Sequence, residues 1–411
     1  MSTIIVGGGL VGLCSALEFA RSGEDVTIIE KTVLGSGAAR GNAGEVCPDL
    51  ATPVAKFSLI KSAVLQAYKR DSALHVDPLS IPAFSGFLFK ILLNARKDKY
   101  AMNQRVLESI QDAARDDFLS LADSIGFPVS NHGYVSVFDS AEAAKVGLTE
   151  TQERIRLSRT RHEFTDVLSP AELGELEPCI DKPGFGFIET GSLHVDPSAF
   201  VDALITELNK LGVSFVEGAR VTGVDNSGIR SIVNTQVGDF HADTVIICAG
   251  AETAEITRSL GINIPIKPAK GYSFVFKGAA PTKRVLKFES VHAAMLPAGD
   301  NLRVAGTMEF DALADRFNPA RIDQITAGLT RYFNKERLEH RSREWVGARP
   351  VTPDGLPIID RVPGQGSVFV AAGHNMLGLM LAPVTTSMLK DVVLNSDRST
   401  TVHFSHDRFG R

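Results

Sequence analysis

Three glycines near the start of the chain have the spacing of a phosphate-binding turn. Gly7, Gly9 and Gly12 form a G-x-G-x-x-G motif. The motif follows a short apolar run at residues 3–6 and precedes a helical pattern at residues 13–20. In such a motif the first glycine allows a tight turn, the second lets a pyrophosphate approach the backbone, and the third lets helix and strand pack closely. The helix N-terminus then offers free N–H groups and partial positive charge to phosphates.

An acidic residue follows the next predicted strand, at residues 26–29. Glu30 lies eighteen residues after Gly12, where its carboxylate can accept hydrogen bonds from ribose hydroxyls. A glycine motif alone is weak, because glycine is common in turns. Here strand, turn, helix, strand and acid occur in order, so we predict a dinucleotide site rather than a plain βαβ turn.

A second set of candidates lies far along the chain. Arg349 stands between Ala348 and Pro350, so its backbone direction is restricted. A guanidinium offers a carboxylate two parallel N–H donors, and the family resemblance named below implies that Arg349 binds the carboxylate of a substrate. A surface arginine before a turn is the alternative. We also expect Tyr272 to cover the substrate, and His374 either to stabilise negative charge or to make a structural hydrogen bond.

Two further apolar runs, residues 244–250 and 368–373, end in glycine. Continuous apolar runs of this kind are typical of strands buried on both faces of a parallel sheet. From residue 267 the pattern changes to alternating strands at residues 271–276, 285–288, 293–296 and 302–306. This pattern predicts a mostly antiparallel sheet and hence a second domain.

The predicted fold class is therefore α/β, with a Rossmann-type dinucleotide-binding domain and a second α+β domain on a mostly antiparallel sheet. We assign residues 1–55, 195–266 and 346–411 to the first domain, and residues 56–194 and 267–345 to the second. Helices are predicted at residues 106–126, 197–211 and 319–333, and from Gly378 to about residue 393. A cap at Ser169 begins another helix.

Composition excludes several classes of function. The formal net charge of −5 gives no indication of nucleic-acid binding. The four cysteines have no C-x-x-C spacing, so we expect a reduced compartment and no disulfide framework, and we expect no metal site. No apolar stretch reaches the roughly 20 residues that span a bilayer. The chain enters a strand at once, without room for a signal peptide, and we expect a cytoplasmic protein.

One segment has a composition that could bind it to the surface of a membrane. Residues 84–93 are densely apolar and residues 96–99 are mostly basic. An amphipathic helix on the inner face of the membrane is one interpretation. A helix packed on its own domain is the interpretation that we prefer. The glycine-rich loop at residues 31–53 is likewise either a flexible surface loop or, as we favour, a segment close to a flat or charged ligand.

Several motifs together resemble one family. The glycine turn, the glycine-rich loop, Ala249-Gly250, GARPVTPDGLPI at residues 347–358 and GHNMLGLMLAP at residues 373–383 occur in one order. The set resembles the glycine oxidase and D-amino-acid oxidase (DAO) family of FAD flavoproteins over nearly the whole chain. NAG at residues 42–44 with ATP at residues 51–53 is most similar to D-amino-acid dehydrogenases and hydroxy-D-proline dehydrogenases.

The resemblance implies residues that would hold FAD. The ADP half would be held by Gly7, Gly9, Leu10, Val11, Gly12, Glu30 and Lys31. The flavin and pyrophosphate would be lined by Ala39, Arg40, Asn42, Gly44, Glu45 and Val46. Val221 would meet the adenine through its backbone, and Gly250 would end a strand beside the cofactor. The isoalloxazine would lie over Gly373, His374, Asn375, Met376, Leu377, Gly378, Leu379 and Met380.

Two departures from the family pattern matter. Residues 37–39 offer no histidine or cysteine for a covalent flavin bond, so we expect non-covalent FAD. Met376 stands where some glycine oxidases have a second carboxylate-binding arginine, which indicates a more apolar pocket wall. The reduced flavin is anionic, and the helix after Gly378 would direct N–H groups toward that charge.

The resemblance implies oxidative deamination of a D-amino acid or of a cyclic imino acid such as D-proline or hydroxy-D-proline. A hydride would move from Cα to flavin N5, and the electrons would pass to a respiratory acceptor, a quinone or a carrier. No general base is strictly required if the substrate arrives as the neutral amine. The alternatives are an oxidase that releases hydrogen peroxide, a non-catalytic flavin-binding protein, and an NAD-dependent dehydrogenase that uses Glu30 for the ribose.

Overall fold

Two main sheets, of six and nine strands, organise the fold. The computed structural model describes residues 1–55, 74–77, 80–226, 228–277, 282–311, 313 and 316–410. Within these ranges, smaller sheets of three and two strands accompany the main sheets. The three-stranded sheet contains Val221–Asp225, Ser231–Thr235 and Gly238–Ala242, and the two-stranded sheet pairs Glu45–Val46 with Leu193–His194.

The six-stranded sheet contains the strands that were predicted to end in glycine. Its strands, in order, are Ile358–Arg361, Val368–Ala372, Thr244–Ile247, Ser2–Val6, Asp25–Ile29 and Ser214–Val216. All neighbours are parallel except the edge strand Ile358–Arg361. Every residue of Thr244–Ile247 is buried, which confirms the prediction of a parallel strand covered on both faces.

The nine-stranded sheet is mostly antiparallel, as predicted. Its strands, in order, are Arg341–Val351, Lys267–Phe276, Asn301–Phe310, Ala293–Ala298, Val285–Phe288, Tyr134–Phe138, Phe185–Thr190 and Glu163–Phe164, and Leu74–Val76 pairs with Asn301–Phe310. Two pairs are parallel, Val285–Phe288 with Tyr134–Phe138 and Leu74–Val76 with Asn301–Phe310. The sequence analysis missed the strand Arg341–Val351, which carries many polar residues.

Helices pack against both main sheets, and four of the described helices begin at a side-chain cap, formed by Ser140, Ser169, Asp196 and Asn318. The longer helices are Leu10–Arg21, Ile81–Asn94, Lys97–Ser124, Ala141–Ile155, Pro197–Lys210, Pro319–Leu329 and Gly378–Leu394. The short ones are Pro170–Leu176, Thr253–Ile256 and Lys335–Leu338. Ser169 forms the predicted cap, a full capping box with Glu172. Pro319–Leu329 ends four residues before its predicted end at residue 333.

One helix crosses the predicted domain boundary. Lys97–Ser124 belongs by sequence to the segment 56–194, but it packs against Gly378–Leu394, and its Ser124 accepts a hydrogen bond from Arg21 of Leu10–Arg21. Its Leu107 and Phe118 share an apolar core with those helices. The division into two domains remains a prediction, and by packing this helix belongs with the first domain.

The apolar helix Ile81–Asn94 packs by one face. Phe84 and Phe87 are buried against Phe310, with the Phe84 and Phe310 rings 5.5 Å apart. Phe89 and Leu92 are exposed on another side of the helix and line the large cavity described below. Packing thus accounts for one face, as the preferred interpretation predicts, and contact with a membrane remains a prediction. In the part of the chain that the structure describes, no helix is long and apolar enough to cross a bilayer.

Candidate active site

A cavity of about 1510 Å³ lies between the two main sheets. One end, which we call the nucleotide end, is lined by the glycine turn with Gly9, by Glu30 and by Gly250. The other, which we call the arginine end, is lined by Arg349, by Thr307 and by the hairpin loop at residues 289–292. The nucleotide end is thus made by the six-stranded sheet and the arginine end by the nine-stranded sheet.

The three glycines of the turn have different surroundings. Gly7 has φ +107°, and a Cβ there would lie 2.6 Å from the carbonyl oxygen of Cys248. A Cβ on Gly12 would overlap the carbonyl oxygen of Gly7. Gly9, in contrast, lines the cavity and has no neighbour within 4 Å of its Cβ position. Gly7 and Gly12 therefore permit close packing, while Gly9 leaves room for a ligand.

The helix Leu10–Arg21 begins at this turn. The first N–H groups of a helix have no intrahelical partner, and Leu10 and Val11 line the cavity. An open glycine surface in front of a helix N-terminus fits the phosphates of a dinucleotide.

Glu30 is held in place by backbone donors. Its Oε2 accepts a hydrogen bond from the Gly8 N–H at 2.8 Å, and its Oε1 accepts one from the Thr32 N–H at 3.1 Å. The side chain lines the cavity, as a ribose-binding carboxylate must. The neighbouring Lys31 also lines it and forms an ion pair with Glu252 at 2.5 Å. Sequence reasoning missed Glu252, although it follows the predicted strand end at Gly250 by two residues.

The glycine-rich loop is close to the cavity for part of its length. Ala39, Asn42 and Glu45 line the cavity, which agrees with the predicted contact to a ligand. Arg40 corrects the prediction, because it turns away and pairs with Asp202 at 2.6 Å. A guanidinium beside a carboxylate on the surface helix Pro197–Lys210 is not placed to meet a pyrophosphate.

Two more loop residues support the loop without lining the cavity. Gly44, at φ +73°, lies against the carbonyl oxygen of Val195, where a side chain would overlap it. Val46 is buried and pairs with Leu193 in the small sheet. Both were predicted to line the flavin, and both instead fix the loop against its neighbours.

The C-terminal motif reaches the cavity through most of its residues. These are His374, Asn375, Met376, Leu377, Gly378 and Met380, and Val221 and Gly250 reach it from other strands. Gly373 and Leu379 do not line the cavity. Gly373 has φ +78° and faces Thr352, and Leu379 is buried in the core.

His374 is a structural hydrogen-bonder. Its Nε2 lies 2.9 Å from the Thr385 hydroxyl, and burial lowers the pKa of its imidazole to about 4. The ring is therefore neutral at neutral pH. Of the two alternatives for this residue, stabilising negative charge as a cation is the one that the geometry disfavours.

Arg349 projects from the strand Arg341–Val351 into the arginine end. Its Nη1 donates a hydrogen bond to the Thr307 carbonyl oxygen at 2.7 Å, and its guanidinium lies where a Cβ of Gly271 would be. Within the described ranges no carboxylate pairs with it. Burial lowers the pKa of Arg349 to about 10, so it remains a cation at neutral pH. A partly buried cation that lines a cavity and has no carboxylate partner among the described residues fits an anionic ligand.

Tyr272 does not lie in the cavity, which corrects its predicted role. Successive side chains of a strand point to opposite faces, and Gly271 faces Arg349. Tyr272 therefore points into the core beside Phe274, where its hydroxyl donates to Glu309 at 2.5 Å. Burial raises the pKa of Tyr272, so the hydroxyl stays protonated.

Sequence reasoning missed several residues that line the cavity. Lys287 lies 2.7 Å from Glu45 and 4.2 Å from the centre of the Tyr134 ring. Trp345 packs against Gly41, where any side chain would overlap the indole. Pairings across distant strands create these contacts, and no local pattern indicates them. The described residues hold no group of three or more metal-binding side chains, and their four cysteines are free and buried.

Comparison with known proteins identifies the family. The model of the DAO family, FAD dependent oxidoreductase, matches residues 2–391. The chain is 28% identical over 412 residues to the D-amino acid dehydrogenase of Cereibacter sphaeroides, covering 96% of this chain and 92% of that protein. It is 29% identical over 414 residues to the D-amino acid dehydrogenase of Vibrio atlanticus, covering 96% of each.

A solved structure shares the fold. Glycine oxidase from Geobacillus kaustophilus matches 98% of this chain and 97% of its own with a TM-score of 0.70, at 20% sequence identity. The open glycine turn, the held Glu30 and the cavity between the sheets agree with the cofactor of the matching family. This chain belongs to the DAO family of FAD-dependent oxidoreductases.

Proposed function

We propose that this enzyme is a dehydrogenase of D-amino acids. The observation that carries the proposal is Arg349, a partly buried cation in the cavity without a carboxylate partner among the described residues. An α-amino acid supplies the missing carboxylate. The curated relatives that match nearly the full chain are D-amino acid dehydrogenases, which favours the D-enantiomer.

The residues of the arginine end would hold the substrate in a fixed orientation. FAD, when bound, supplies the two-electron acceptor for the hydride that leaves Cα. Arg349 binds the carboxylate through its remaining N–H donors, because one Nη1–H is already directed at Thr307. A fixed guanidinium thus determines where Cα lies. Met376, half exposed and lining the cavity, adds an apolar wall.

For the electron acceptor we propose a respiratory quinone or carrier. The relatives support a dehydrogenase, and an oxidase that releases hydrogen peroxide is the other outcome. Turnover in air distinguishes them, because an oxidase produces peroxide in step with substrate loss. The inner face of the membrane is the place where such an acceptor would be met. Binding to anionic lipid vesicles tests that location.

The substrate class is tested by an anaerobic screen of D- and L-amino acids, with and without rings. We expect D-amino acids to bleach the flavin band near about 450 nm. Selective bleaching by D-proline or hydroxy-D-proline would identify the cyclic alternative. A protein whose flavin no amine bleaches would be a non-catalytic flavin-binding protein, and a purified protein without flavin would indicate the NAD alternative.

Replacing Arg349 tests the carboxylate contact. We expect Arg349→Ala to raise KM about a hundredfold, because truncating one partner of a charged pair costs about 2–5 kcal/mol. Arg349→Lys is the matched control: it keeps the charge but loses the bidentate fork, so its KM should fall between the two. FAD content should be unchanged in both. An unchanged KM in Arg349→Ala would contradict the role.

A further inference from the structure

A hairpin loop brings two titratable side chains into the arginine end. Strands Val285–Phe288 and Ala293–Ala298 are joined by residues 289–292. His292 closes this loop with φ +53°, a left-handed conformation that is uncommon outside glycine. Both Glu289 and His292 line the large cavity. The loop therefore presents a carboxylate and an imidazole to whatever Arg349 holds.

The register of the sheet places His292 near the residue that Arg349 contacts. Ala293 pairs with Gly306 at the last position of the antiparallel ladder, and His292 and Thr307 flank that pair. Both have left-handed backbones, with φ +53° and +57°, and the His292 carbonyl oxygen lies 2.7 Å from where a Cβ of Gly306 would be. The carbonyl of Thr307 in turn accepts the hydrogen bond of Arg349. His292 and Arg349 are thus both neighbours of Thr307 in one wall of the cavity.

The imidazole of His292 is available for a ligand. Across the described ranges, neither ring nitrogen has a hydrogen-bond or ion-pair partner. The other cavity histidine, His374, is bound to Thr385. Burial lowers the pKa of His292 below its ordinary value, so the ring is neutral and can accept a proton at neutral pH.

We propose that His292 is the general base that takes a proton from the ammonium group of the substrate. This inference rests on the proposed function. An amino acid at neutral pH carries its amine protonated, and that nitrogen needs a free electron pair to form the C=N bond of the imine. The amine is one carbon from the carboxylate, so a base close to Arg349 is placed to reach it.

The proton and electrons balance in two steps. One proton passes from the substrate nitrogen to a ring nitrogen of His292 and later leaves to solvent. FAD, when bound, would supply the acceptor for the Cα hydrogen and both its bonding electrons, which leaves the nitrogen electron pair to form the C=N bond. His292 touches the substrate amine and is in that sense catalytic. Arg349 acts on the carboxylate alone.

Other charged groups near His292 must be considered as the base in its place. Glu289 lies in the same loop, and burial raises the pKa of its carboxyl. Lys287 is paired with Glu45 at 2.7 Å, and Arg154 lines the cavity from the helix Ala141–Ile155. Only Glu289 among these could replace His292 as a base without breaking a pair. It stands three residues before His292 and is not adjacent to the Ala293–Gly306 pair that Thr307 adjoins, which favours His292.

The test compares His292→Asn with the matched variant Glu289→Gln. Asparagine tolerates the left-handed conformation, so the loop should keep its shape. Anaerobic flavin reduction by D-alanine is measured by stopped flow between pH 5 and about 10 in both variants and the wild type. We expect His292→Asn to lower kcat/KM at pH 7 about a hundredfold, a typical contribution of a general base.

The pH profile gives a readout that a structural role would not move. Wild-type kcat/KM should fall as His292 becomes protonated in acid, and His292→Asn should lose that limb and rise steadily until the substrate amine itself deprotonates. Added imidazole should restore part of the rate. With 3,3,3-trifluoro-D-alanine, whose amine is far less basic, the loss should shrink. FAD content and binding of acetate should remain as in the wild type.

Other outcomes overturn the proposal in distinct ways. A wild-type rate and profile in His292→Asn would exclude His292 as the base. Loss of the acid limb in Glu289→Gln instead would assign the role to Glu289. Failure of the proposed function itself has a different result, because then no amino acid would reduce the flavin of the wild-type enzyme at all.

Discussion

The two ends of the cavity are built in different ways. The nucleotide end comes mainly from one stretch of thirty residues, in which Gly9 and Glu30 follow one another through a strand, a turn and a helix. The arginine end combines side chains from strands that are distant in sequence. Thr307 and Arg349 meet only because the nine-stranded sheet brings their strands together.

We expect the two ends of the cavity to bind their ligands in different ways. At the nucleotide end we expect the backbone itself to be the binding surface: a side chain at Gly7 or Gly12 would overlap protein backbone, and one at Gly9 would enter the cavity. At the arginine end we expect one side chain, Arg349, to be the binding group. Substitutions at the nucleotide end should therefore abolish cofactor binding. Substitutions at the arginine end should lower the affinity for the substrate while the cofactor stays bound.

The largest effect is expected at the glycine turn. In Gly12→Val the new side chain overlaps the Gly7 carbonyl, and overpacking of this kind costs about 1–3 kcal/mol or more. We expect little soluble protein and no FAD. Gly9→Val is the matched variant, because its side chain enters the cavity and meets no protein atom at Cβ. It should fold but purify without FAD.

Circular dichroism and flavin absorbance after purification distinguish the two variants. Trp345, the only tryptophan, lines the cavity and offers a second probe, since added FAD should quench its fluorescence in the wild type and not in Gly9→Val. Normal FAD content in Gly9→Val would mean that the cofactor does not approach the backbone at this turn.

The next effect is expected at Gly271. Alanine there overlaps the guanidinium of Arg349 and must displace it. A displacement of about 1 Å in a binding group can cost a hundredfold in rate, so we expect kcat/KM to fall by about that factor with FAD content unchanged. The control is Gly86→Ala in the helix Ile81–Asn94, where nothing lies within 4 Å of the Cβ position.

The kcat/KM values of Gly271→Ala and Gly86→Ala are compared by steady-state kinetics with a D-amino acid. Gly86→Ala should leave kcat/KM as it is and stabilise the helix by up to about 1 kcal/mol. Equal losses in both variants, or loss of FAD in Gly271→Ala, would show that the two ends do not behave as separate parts.

The same contrast explains what the sequence could predict. Gly9, Glu30 and Arg349 each stand in a local motif, and all three line the cavity, while their roles stay predictions. Arg40 and Tyr272 were placed wrongly because type and position along the chain do not say which way a side chain points. Arg40 forms an ion pair with Asp202 on a neighbouring helix. The side chain of Tyr272 lies on the face of its strand that is directed to the hydrophobic core.

Contacts across strands could not be predicted at all. His292 and Thr307 adjoin the Ala293–Gly306 pair of the ladder, and neither stands in a recognisable motif. Lys97–Ser124 shows the same limit at the scale of a helix, because its position in the sequence suggests one domain and its packing another. Most strands and helices followed from hydrophobic periodicity, which is a local property, but the polar strand Arg341–Val351 did not.

A histidine with a buried side chain holds the glycine-rich loop in place. His162 lies 3.1 Å from Asp49, near the end of the glycine-rich loop, and 2.5 Å from Glu189 of the nine-stranded sheet. All three side chains are almost completely buried. Glu189 also lines the cavity. One imidazolium between two carboxylates therefore holds the two ends together.

The smallest effect is expected from the charge of this histidine. Burial alone would lower the pKa of His162, but the hydrogen bonds to Asp49 and Glu189 outweigh it and raise the pKa to about 9. The folded state thus holds this proton more tightly than the unfolded chain, whose histidine titrates near 6.5. The stabilisation is complete below that value and is lost as the pH rises through about 9.

We therefore expect the Tm of the FAD-bound enzyme to fall between pH 6.5 and 9.5 by about 2–4 °C more than that of His162→Gln. The variant has no proton to lose at this position, and the amide can still bond to the carboxylates. Scanning calorimetry over this range measures the difference. If the two proteins declined in parallel, the histidine would be neutral in the folded state, and the loop would be held by hydrogen bonds alone. In that case the two ends would be joined by packing rather than by charge, and alkaline pH would not separate them.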